Sequence, residues 1–361
     1  MNDESFETFE SLIGGWDGEQ VVIAHTAEPR AWLFVCLHSR TLGAATGGTR
    51  IAVYPTAADG LRDGLRLAEA MTLKLAAAEL PCGGGKAVLA VPELPWGGAR
   101  ELLLARYADV IASLGGSFVT GPDVNTAPAD MDVIAQRCPY VFCRTSAHGG
   151  SGDSGPHTAR GVLHAIAACL DRAYGSPALS GRTVLIQGAG SVGANLARLA
   201  AERGARILIS DVNPPRAAAV AAHTGAAIVD PADVIGTECD VYAPCALGGT
   251  LTVDTIPRLR CRIVAGAANN QLAEPDDAKQ LRDAGIVYAP DFIANAGGVL
   301  HAIGTERLGW SAADTADALA GIARRLAHIF AHSDQQDVST EQAARDLATH
   351  RLATPPKPHT T

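Results

Sequence analysis

Residues 183–200 read TVLIQGAGSVGANLARLA. An apolar, β-rich run leads directly into Gly188-x-Gly190-x-x-Gly193, and a helical run follows. The glycines permit a tight turn and close backbone approach, and the helix N-terminus supplies amides and positive partial charge to a pyrophosphate. A glycine-rich turn without a nucleotide is the alternative. Strand, helix and a suitably placed acid together favour a dinucleotide site.

That acid is Asp211, at the end of the next β-rich run and 18 residues after Gly193. A carboxylate there can accept both ribose hydroxyls of an adenosine and would repel a 2′-phosphate. The sequence therefore predicts NAD rather than NADP as cofactor, although Arg216 nearby weakens this preference. The segments APCALGG (243–249) and GAANNQL (266–272) also follow apolar strands, where small residues and carboxamides can contact a ligand.

The alternation of β-rich and helical runs around this strand–turn–helix unit predicts the fold class. TVLIQG, RILISD, AAIVD, CDVYAP, CRIVAG and IVYAP are short β-rich runs, several of them separated by helical stretches. That alternation indicates a mostly parallel, doubly wound sheet. Upstream, the strand candidates AWLFVCLHS and GSFVTG are interleaved with helices predicted over Ala58–Glu79 and Ala99–Leu114. The first helix carries the capping signal Thr56-x-x-Asp59.

We therefore expect an α/β protein of two domains with a cleft between them. Residues 1–147 would form an α/β substrate-binding and catalytic domain, and 148–334 a Rossmann-type NAD domain. The glycine- and serine-rich stretch 146–156 would be the hinge, and a C-terminal helix of about 335–361 would pack back on the first domain.

Composition excludes several classes of function. The net charge of −9 among 361 residues argues against a nucleic-acid binder. The acidic N-terminus is unlike a secretory signal, and no apolar run approaches the ~20 residues that span a membrane, so a cytoplasmic protein is expected. The eight cysteines contain no C-x-x-C pair, which favours reduced thiols over disulfides or a metal site.

A second segment, ELPCGGGKAVLAV (79–91), raises a question about Lys86. The phosphate-loop pattern fails here, because Leu80 stands where its first glycine belongs and Ala87 where its hydroxyl belongs. We expect instead a glycine turn that makes room beside Lys86 for a ligand. Lys74 likewise lies between apolar residues in MTLKLA. Desolvation lowers the pKa of an amine, so that its neutral form can act as a base.

Eight collinear motifs carry a family resemblance: LGAATGGTR, RLAEAMTLKLA, LPCGGGKAV, TGPDVNTAPADMD, GAGSVG, YAPCALGG, GAANNQL and YAPDFIANAGG. From about residue 16 to 350 the chain resembles the glutamate/leucine/phenylalanine/valine dehydrogenase family. The resemblance implies NAD-dependent oxidative deamination of an L-amino acid to a 2-oxo acid and ammonia. It also implies a small-molecule substrate held in the cleft, and we expect a homo-oligomer.

The resemblance further implies residue roles. Lys86 would activate the attacking water, and Asp123 would shuttle protons to and from the amino group. Substrate contacts would come from Gly47, Gly48 and Lys74 at the α-carboxylate, and from Asn270 and Asn295. The implied cofactor contacts are Arg50, Thr158, Gly188, Ala189, Gly190, Ser191, Val192, Gly193, Asp211, Val212, Ala246, Leu247, Ala268 and Asn269.

Four positions bear on the substrate side chain: Thr46, Gly121, Val299 and Ala302. Thr46 is uncharged where glutamate enzymes of the family carry a lysine, so glutamate is disfavoured. Gly121 and Ala302 are smaller than the residues usual in branched-chain enzymes, which favours L-phenylalanine and its product phenylpyruvate. Leucine or valine, and tryptophan, remain alternatives. A non-catalytic NAD-binding sensor is a distant one, since Lys74, Lys86 and Asp123 are all present.

Overall fold

The computed structural model describes residues 12–246 and 248–355. They divide into two compact units, one with the residues up to Asp153 and those from Arg351 onward, the other with Ser154–His350. The domain limits expected from the sequence place the junctions earlier, after residues 147 and 334.

The first unit is built on a mixed five-stranded sheet. Its strands run in the order β1-β2-β4-β3-β5, with β1–β2 and β2–β4 antiparallel and β4–β3 and β3–β5 parallel. The strands are β1 (Gln20–Ala27), β2 (Arg30–Ser39), β3 (Ala45–Val53), β4 (Gly83–Val91) and β5 (Phe118–Pro122). The helices are α1 (Ala57–Ala77), α2 (Gly97–Ala112) and α3 (Pro128–Ala135).

Helix α1 begins where the sequence predicts. The Thr56 hydroxyl accepts a hydrogen bond from the Asp59 amide, and the Asp59 carboxylate accepts one from the Thr56 amide. Leu61 and Leu65 of α1 pack on one face of the sheet, whereas α2 and α3 pack on the other. All nine residues of β4 are buried, because both faces of this strand are covered.

The second unit contains a parallel six-stranded sheet of order β11-β10-β9-β6-β7-β8, as expected for a doubly wound domain. Its strands are β6 (Thr183–Gln187), β7 (Arg206–Ser210), β8 (Ala227–Ile228), β9 (Val241–Pro244), β10 (Ile263–Val264) and β11 (Val287–Tyr288). Its helices are α4 (Gly155–Tyr174), α5 (Ser191–Ala201), α6 (Pro214–Thr224), α7 (Asp277–Asp283), α8 (Asp291–Ala294), α9 (Gly297–Arg307), α10 (Ala312–Gln336) and α11 (Thr340–Ala353), the last of which continues past His350.

The described residues contain neither a membrane-spanning helix nor a metal-binding cluster. No helix among residues 12–246 and 248–355 has both the length and the apolarity needed to cross a membrane. Within the same ranges, no cluster of three or more His, Cys, Asp or Glu side chains is arranged to hold a metal ion.

Candidate active site

Lys86 lies within β4, between β2 and β3 in the first sheet. Its side chain is only 5% exposed, and its Nζ lies 3.1 Å from Oδ1 of Asp123, which follows β5. A buried ammonium group loses the hydration that stabilises its charge, so it needs a charged partner of this kind. The lysine and the acid selected from the sequence are therefore adjacent in space.

The glycines before Lys86 do not form a turn, and this corrects the sequence-based expectation. Gly83, Gly84 and Gly85 are the first residues of β4. A Cβ on Gly84 would stand 2.1 Å from the backbone N of Thr72, and one on Gly83 would stand 1.9 Å from the carbonyl O of Ser39. The space that the glycines leave is thus filled by the backbone of α1 and the end of β2. Glycine is needed here for close packing of protein elements, not to make room for a ligand.

Lys86 and Asp123 belong to a longer chain of charges, which we call the ion network. Arg50 on β3 lies between two acids, with Nε 2.8 Å from Oδ2 of Asp123 and Nη1 2.8 Å from Oδ2 of Asp63 on α1. The Tyr54 hydroxyl donates to the same Asp63 oxygen at 2.6 Å. Positive and negative groups therefore alternate along the network, and each carboxylate is held by more than one donor.

This arrangement shifts the pKa values of its members. Burial lowers the pKa of the Lys86 amine below its ordinary value; the Asp123 carboxylate opposes this effect, and the Arg50 charge adds to it. Burial alone would raise the pKa of Asp123, but the charges of Lys86 and Arg50 outweigh burial and hold it well below its usual range. Asp123 is therefore a carboxylate, and Lys86 gives up its proton more readily than a surface lysine. The cation that adds to this shift is Arg50.

The residues expected at the substrate carboxylate, and Thr46 and Gly121 of those expected at its side chain, lie on elements of the first unit. Thr46, Gly47 and Gly48 are consecutive on β3, and Lys74 is half-buried near the end of α1. A Cβ on Gly47 would stand 1.7 Å from the carbonyl O of Gly85, so this glycine also serves strand packing. Gly121 differs, because a Cβ there would meet no atom closer than 3.9 Å.

The nucleotide turn follows β6 in the second unit as predicted. Gly188 has φ of 107°, a left-handed conformation that favours glycine, and a Cβ on Gly193 would stand 1.9 Å from the carbonyl O of Gly188. Oδ2 of Asp211 accepts a hydrogen bond from the Ala189 amide at 2.7 Å. Asp211 is thereby fixed directly beside the glycine turn.

The turn fits the pyrophosphate of NAD. The space in front of Gly190 is open, since a Cβ there would meet nothing within 4 Å. Gly190 is also the N-cap of α5, and no side chain caps that helix end. A helix N-terminus carries positive partial charge, which favours an anion such as this pyrophosphate.

Asn295, which caps the end of α8, is buried close to the segment that follows β10. Its Nδ2 donates to the carbonyl O of Ala267 at 3.2 Å and to Oδ1 of Asn269 at 2.9 Å. Its Oδ1 is buried without a hydrogen-bond partner in this structure. Such an acceptor suits a ligand N–H, for example from the carboxamide of a nicotinamide. Asn270 has φ of 52°, a left-handed turn conformation.

The other residues expected at the cofactor are placed as follows. Ser191 and Val192 begin α5, Val212 follows Asp211, Ala246 follows β9, Ala268 and Asn269 follow β10, and Thr158 lies on α4. Leu247 lies outside the described residues. Apart from Thr158, those of them that the structure describes follow the carboxyl ends of strands of the parallel sheet, where open α/β sheets bind ligands. Val299 and Ala302 lie on α9, and Ala302 is buried. Arg50, expected at the cofactor, is a member of the ion network described above.

Sequence reasoning missed Asp63 and Tyr54 of the ion network, and Asp291 of the second unit. Asp291 accepts the Gln271 amide at 2.9 Å and so fixes the end of the GAANNQL segment. An acid directly after the strand-like IVYAP was the available signal for Asp291. Asp63 lies in an ordinary charged helix sequence, and only its distant contact with Arg50 distinguishes it.

Two family models match most of the chain. Residues 30–140 match the model described as Glu/Leu/Phe/Val dehydrogenase, dimerisation domain. Residues 149–214 and 215–357 match the model described as Glutamate/Leucine/Phenylalanine/Valine dehydrogenase.

Characterised relatives agree with these matches. Leucine dehydrogenase of Geobacillus stearothermophilus is 38% identical over 339 residues, which cover 94% of this chain and 92% of that protein. Valine dehydrogenase of Streptomyces coelicolor is 39% identical over 338 residues, covering 93% and 92%. The crystal structure of L-tryptophan dehydrogenase from Nostoc punctiforme superposes with a TM-score of 0.79 at 37% identity, covering 96% of this chain and 98% of that one.

Proposed function

The chain belongs to the glutamate/leucine/phenylalanine/valine dehydrogenase family, and from that premise we propose roles for its residues and a substrate. It is an NAD-dependent amino-acid dehydrogenase of the kind that oxidatively deaminates L-amino acids. The observation that carries the proposed roles is the buried Lys86–Asp123 pair with Arg50 on its far side.

The residues around Lys86 divide the chemistry of deamination between them. NAD, when bound, accepts the hydride that leaves the substrate Cα, and the substrate becomes an iminium ion. Lys86 in its neutral form takes a proton from the water that adds to this iminium carbon. Asp123, 3.1 Å away, balances the new charge on Lys86 and relays this proton to the amine, which leaves as ammonia while the carbinolamine hydroxyl gives its proton back to Lys86. Lys74, Gly47 and Gly48 hold the substrate carboxylate.

NAD would be held by the second unit. The amides at the start of α5 face the pyrophosphate, Asp211 accepts the adenosine ribose hydroxyls, and Asn295 meets the nicotinamide carboxamide. Because a carboxylate at position 211 repels a 2′-phosphate, kcat/KM should be higher with NAD than with NADP. Equal or better use of NADP would contradict the role given to Asp211.

For the substrate we favour L-phenylalanine, with phenylpyruvate as product. The support is side-chain volume: a Cβ at Gly121 would fit without a clash, 3.9 Å from Phe142, and Ala302 is a small buried residue. Thr46, which is buried and hydrogen-bonded to the Ala44 carbonyl at 3.0 Å, offers no charge to a substrate carboxylate side chain. Glutamate would therefore be a poor substrate.

Leucine or valine, and tryptophan, are the competing substrates, because relatives of similar identity are named for each of them. The test is NADH formation at alkaline pH from a panel of L-amino acids. We expect the highest kcat/KM with phenylalanine. A maximum with leucine, valine or tryptophan would overturn the substrate assignment but keep the reaction. No NADH with any amino acid would instead support a non-catalytic NAD-binding protein.

We also propose a homo-oligomer. The support is the description of the model matched by residues 30–140 as a dimerisation domain. Light scattering of the purified chain tests this, and a mass of one chain would contradict it.

A further inference from the structure

Two cysteines of the second unit lie opposite each other at the amino ends of adjacent strands. The pairing of β9 with β10 aligns Val241 with Ile263, and the same register carried back by two residues aligns Cys239 with Cys261. The backbone confirms this alignment, because the Cys239 amide donates to the Arg260 carbonyl at 3.1 Å and the Arg262 amide to the Asp240 carbonyl at 3.2 Å. Neighbouring strands are ~4.8 Å apart, within the ~4.4–6.8 Å that separates the Cα atoms of a disulfide.

The two thiols also shift each other's pKa. The Cys239 side chain and the backbone amides near Ile263 and Tyr242 lower the pKa of Cys261 against the effect of burial, whereas the Cys261 side chain and burial raise the pKa of Cys239. The pair therefore combines the more acidic thiol, Cys261, with a second thiol in register on the adjacent strand.

Cys239 is buried and Cys261 is half-buried, and both line an open cavity of about 720 Å³. The charged residues of this lining are Arg206, Arg260, Arg262, Glu238 and Asp240. Other cysteines of the chain differ: Cys36 on β2 and Cys169 on α4 are fully buried, and burial raises the pKa of each thiol. An adjacent thiol, a route to solvent and nearby positive charge are the features that make a cysteine reactive.

We propose that Cys239 and Cys261 form a redox-active dithiol that two-electron oxidants, such as hydroperoxides, convert to an intramolecular disulfide. This site is at the amino ends of β9 and β10, whereas the glycine turn follows the carboxyl end of β6. It is therefore separate from the residues assigned to NAD, and it does not rest on the proposed function.

The chemistry balances with hydrogen peroxide as the oxidant. The Cys261 thiolate attacks one peroxide oxygen, which breaks the O–O bond, gives a sulfenic acid and releases hydroxide. The Cys239 sulfur then attacks the Cys261 sulfur, the S–S bond forms and the sulfenic oxygen leaves as water. The Cys239 thiol proton completes that water, and the hydroxide takes up the proton that the Cys261 thiol released on ionising. In total, two thiols lose two electrons and two protons, and one peroxide becomes two waters.

The test is a thiol count and peptide map of the full chain after treatment with hydrogen peroxide. We expect the count, measured after denaturation, to fall from eight to six per chain, and a peptide linked through Cys239 and Cys261. Cys239→Ser and Cys261→Ser should each form no disulfide. The matched control Cys169→Ser should still lose two thiols. A count that stays at eight, or a disulfide between other residues, would overturn the proposal.

A second measurement needs no variant and no oxidation. Phenylarsine oxide bridges two thiols only when they are adjacent, releasing one water. We expect one equivalent to bind per native chain and to protect Cys239 and Cys261 from later alkylation. Protection of neither residue, or of only one, would show that the two sulfur atoms do not act as a pair.

Discussion

At the scale of single residues, the buried charges around Lys86 are costly unless a function requires them. The free-energy cost of removing a charged amine from water is offset only when an oppositely charged partner is well placed. Replacing such a buried ion pair by apolar residues often leaves the stability of the protein unchanged or increases it. Lys86 has one close carboxylate partner, Asp123, which Arg50 also holds. Because its pKa is lowered, Lys86 reaches its neutral form more easily than a surface lysine, which is a property that a general base needs.

Lys86→Ala should abolish most turnover and leave NADH binding almost unchanged. General bases contribute roughly 100- to 10,000-fold, so kcat should fall by at least about 100-fold. Steady-state kinetics and NADH fluorescence titration measure the two quantities. Lys279→Ala is the control, because Lys279 is an exposed lysine paired with Asp283. A kcat near that of the unmodified enzyme would remove Lys86 from the mechanism.

Arg50 allows a test by pH profile. Its charge helps lower the pKa of Lys86, so Arg50→Gln should raise that pKa and move the rising limb of kcat/KM to higher pH. Arg50→Lys should partly restore the original position. Arg66→Gln, which removes the exposed partner of Asp63, is the control. An unmoved limb with a raised KM for NAD would indicate that Arg50 serves the cofactor, as the family resemblance implied.

At the scale of elements, β4 shows why a local pattern can mislead. Three consecutive glycines predict a turn because glycine tolerates unusual backbone angles. In the structure these glycines are extended, and their lack of side chains lets α1 and the end of β2 approach closely. The neighbours of Gly84 include Thr72, twelve residues away, and no local pattern reveals that contact. By contrast, the N-terminus of α1 was predictable because its capping contacts are local.

Gly84→Ala should destabilise the first unit. The added Cβ would meet the Thr72 backbone at 2.1 Å, which no rotation of a side chain can relieve. Overpacking of this kind costs ~1–3 kcal/mol or more, so the melting temperature should fall by several degrees. Gly121→Ala is the matched control on β5, since its Cβ has open space. Equal melting temperatures for the two variants would refute the packing role of Gly84.

Helix α11 contains a carboxyl group that should make stability depend on pH. Burial, and then the Asp291 charge, raise the pKa of Glu341 from 4.5 to about 7, although Arg345 opposes the shift. The folded state therefore favours the protonated acid. Its stabilising contribution is complete below pH 4.5 and is lost as pH rises through about 7. Each unit of pKa shift between the unfolded and folded states corresponds to about 1.4 kcal/mol, so Glu341 contributes at most about 3 kcal/mol to the free energy of unfolding.

Glu341→Gln should reduce this dependence, because a neutral amide cannot lose a proton. Melting temperatures between pH 5 and pH 8 should decline less steeply in the variant than in the unmodified protein. Glu202→Gln, at the exposed C-cap position that follows α5, serves as the control. An unchanged slope in Glu341→Gln would mean that another group governs the pH dependence.

At the scale of the whole molecule, the structural features that the sequence predicted are those marked by contiguous or periodic residue patterns. The parallel sheet, the glycine turn and the nearness of Asp211 to that turn follow from one strand–turn–helix unit and its neighbour. The ion network could not be predicted in the same way, because Arg50, Asp63 and Asp123 come from three elements joined only by tertiary contacts. The dithiol also depends on the register of two strands separated by about twenty residues of chain.

Substrate preference is a property of the whole molecule, since the positions assigned to it come from both units of the chain. Gly121→Ala and Ala302→Val each restore volume that branched-chain enzymes are expected to carry. A methylene mismatch in an apolar pocket is worth ~1–3 kcal/mol, so each change should lower the ratio of kcat/KM for phenylalanine over leucine by roughly tenfold. The double variant should favour leucine, with effects that need not add. Val253→Ala, at an exposed position, is the control. If neither single variant changes the ratio, these positions do not contact the substrate side chain, and Thr46 becomes the position to vary.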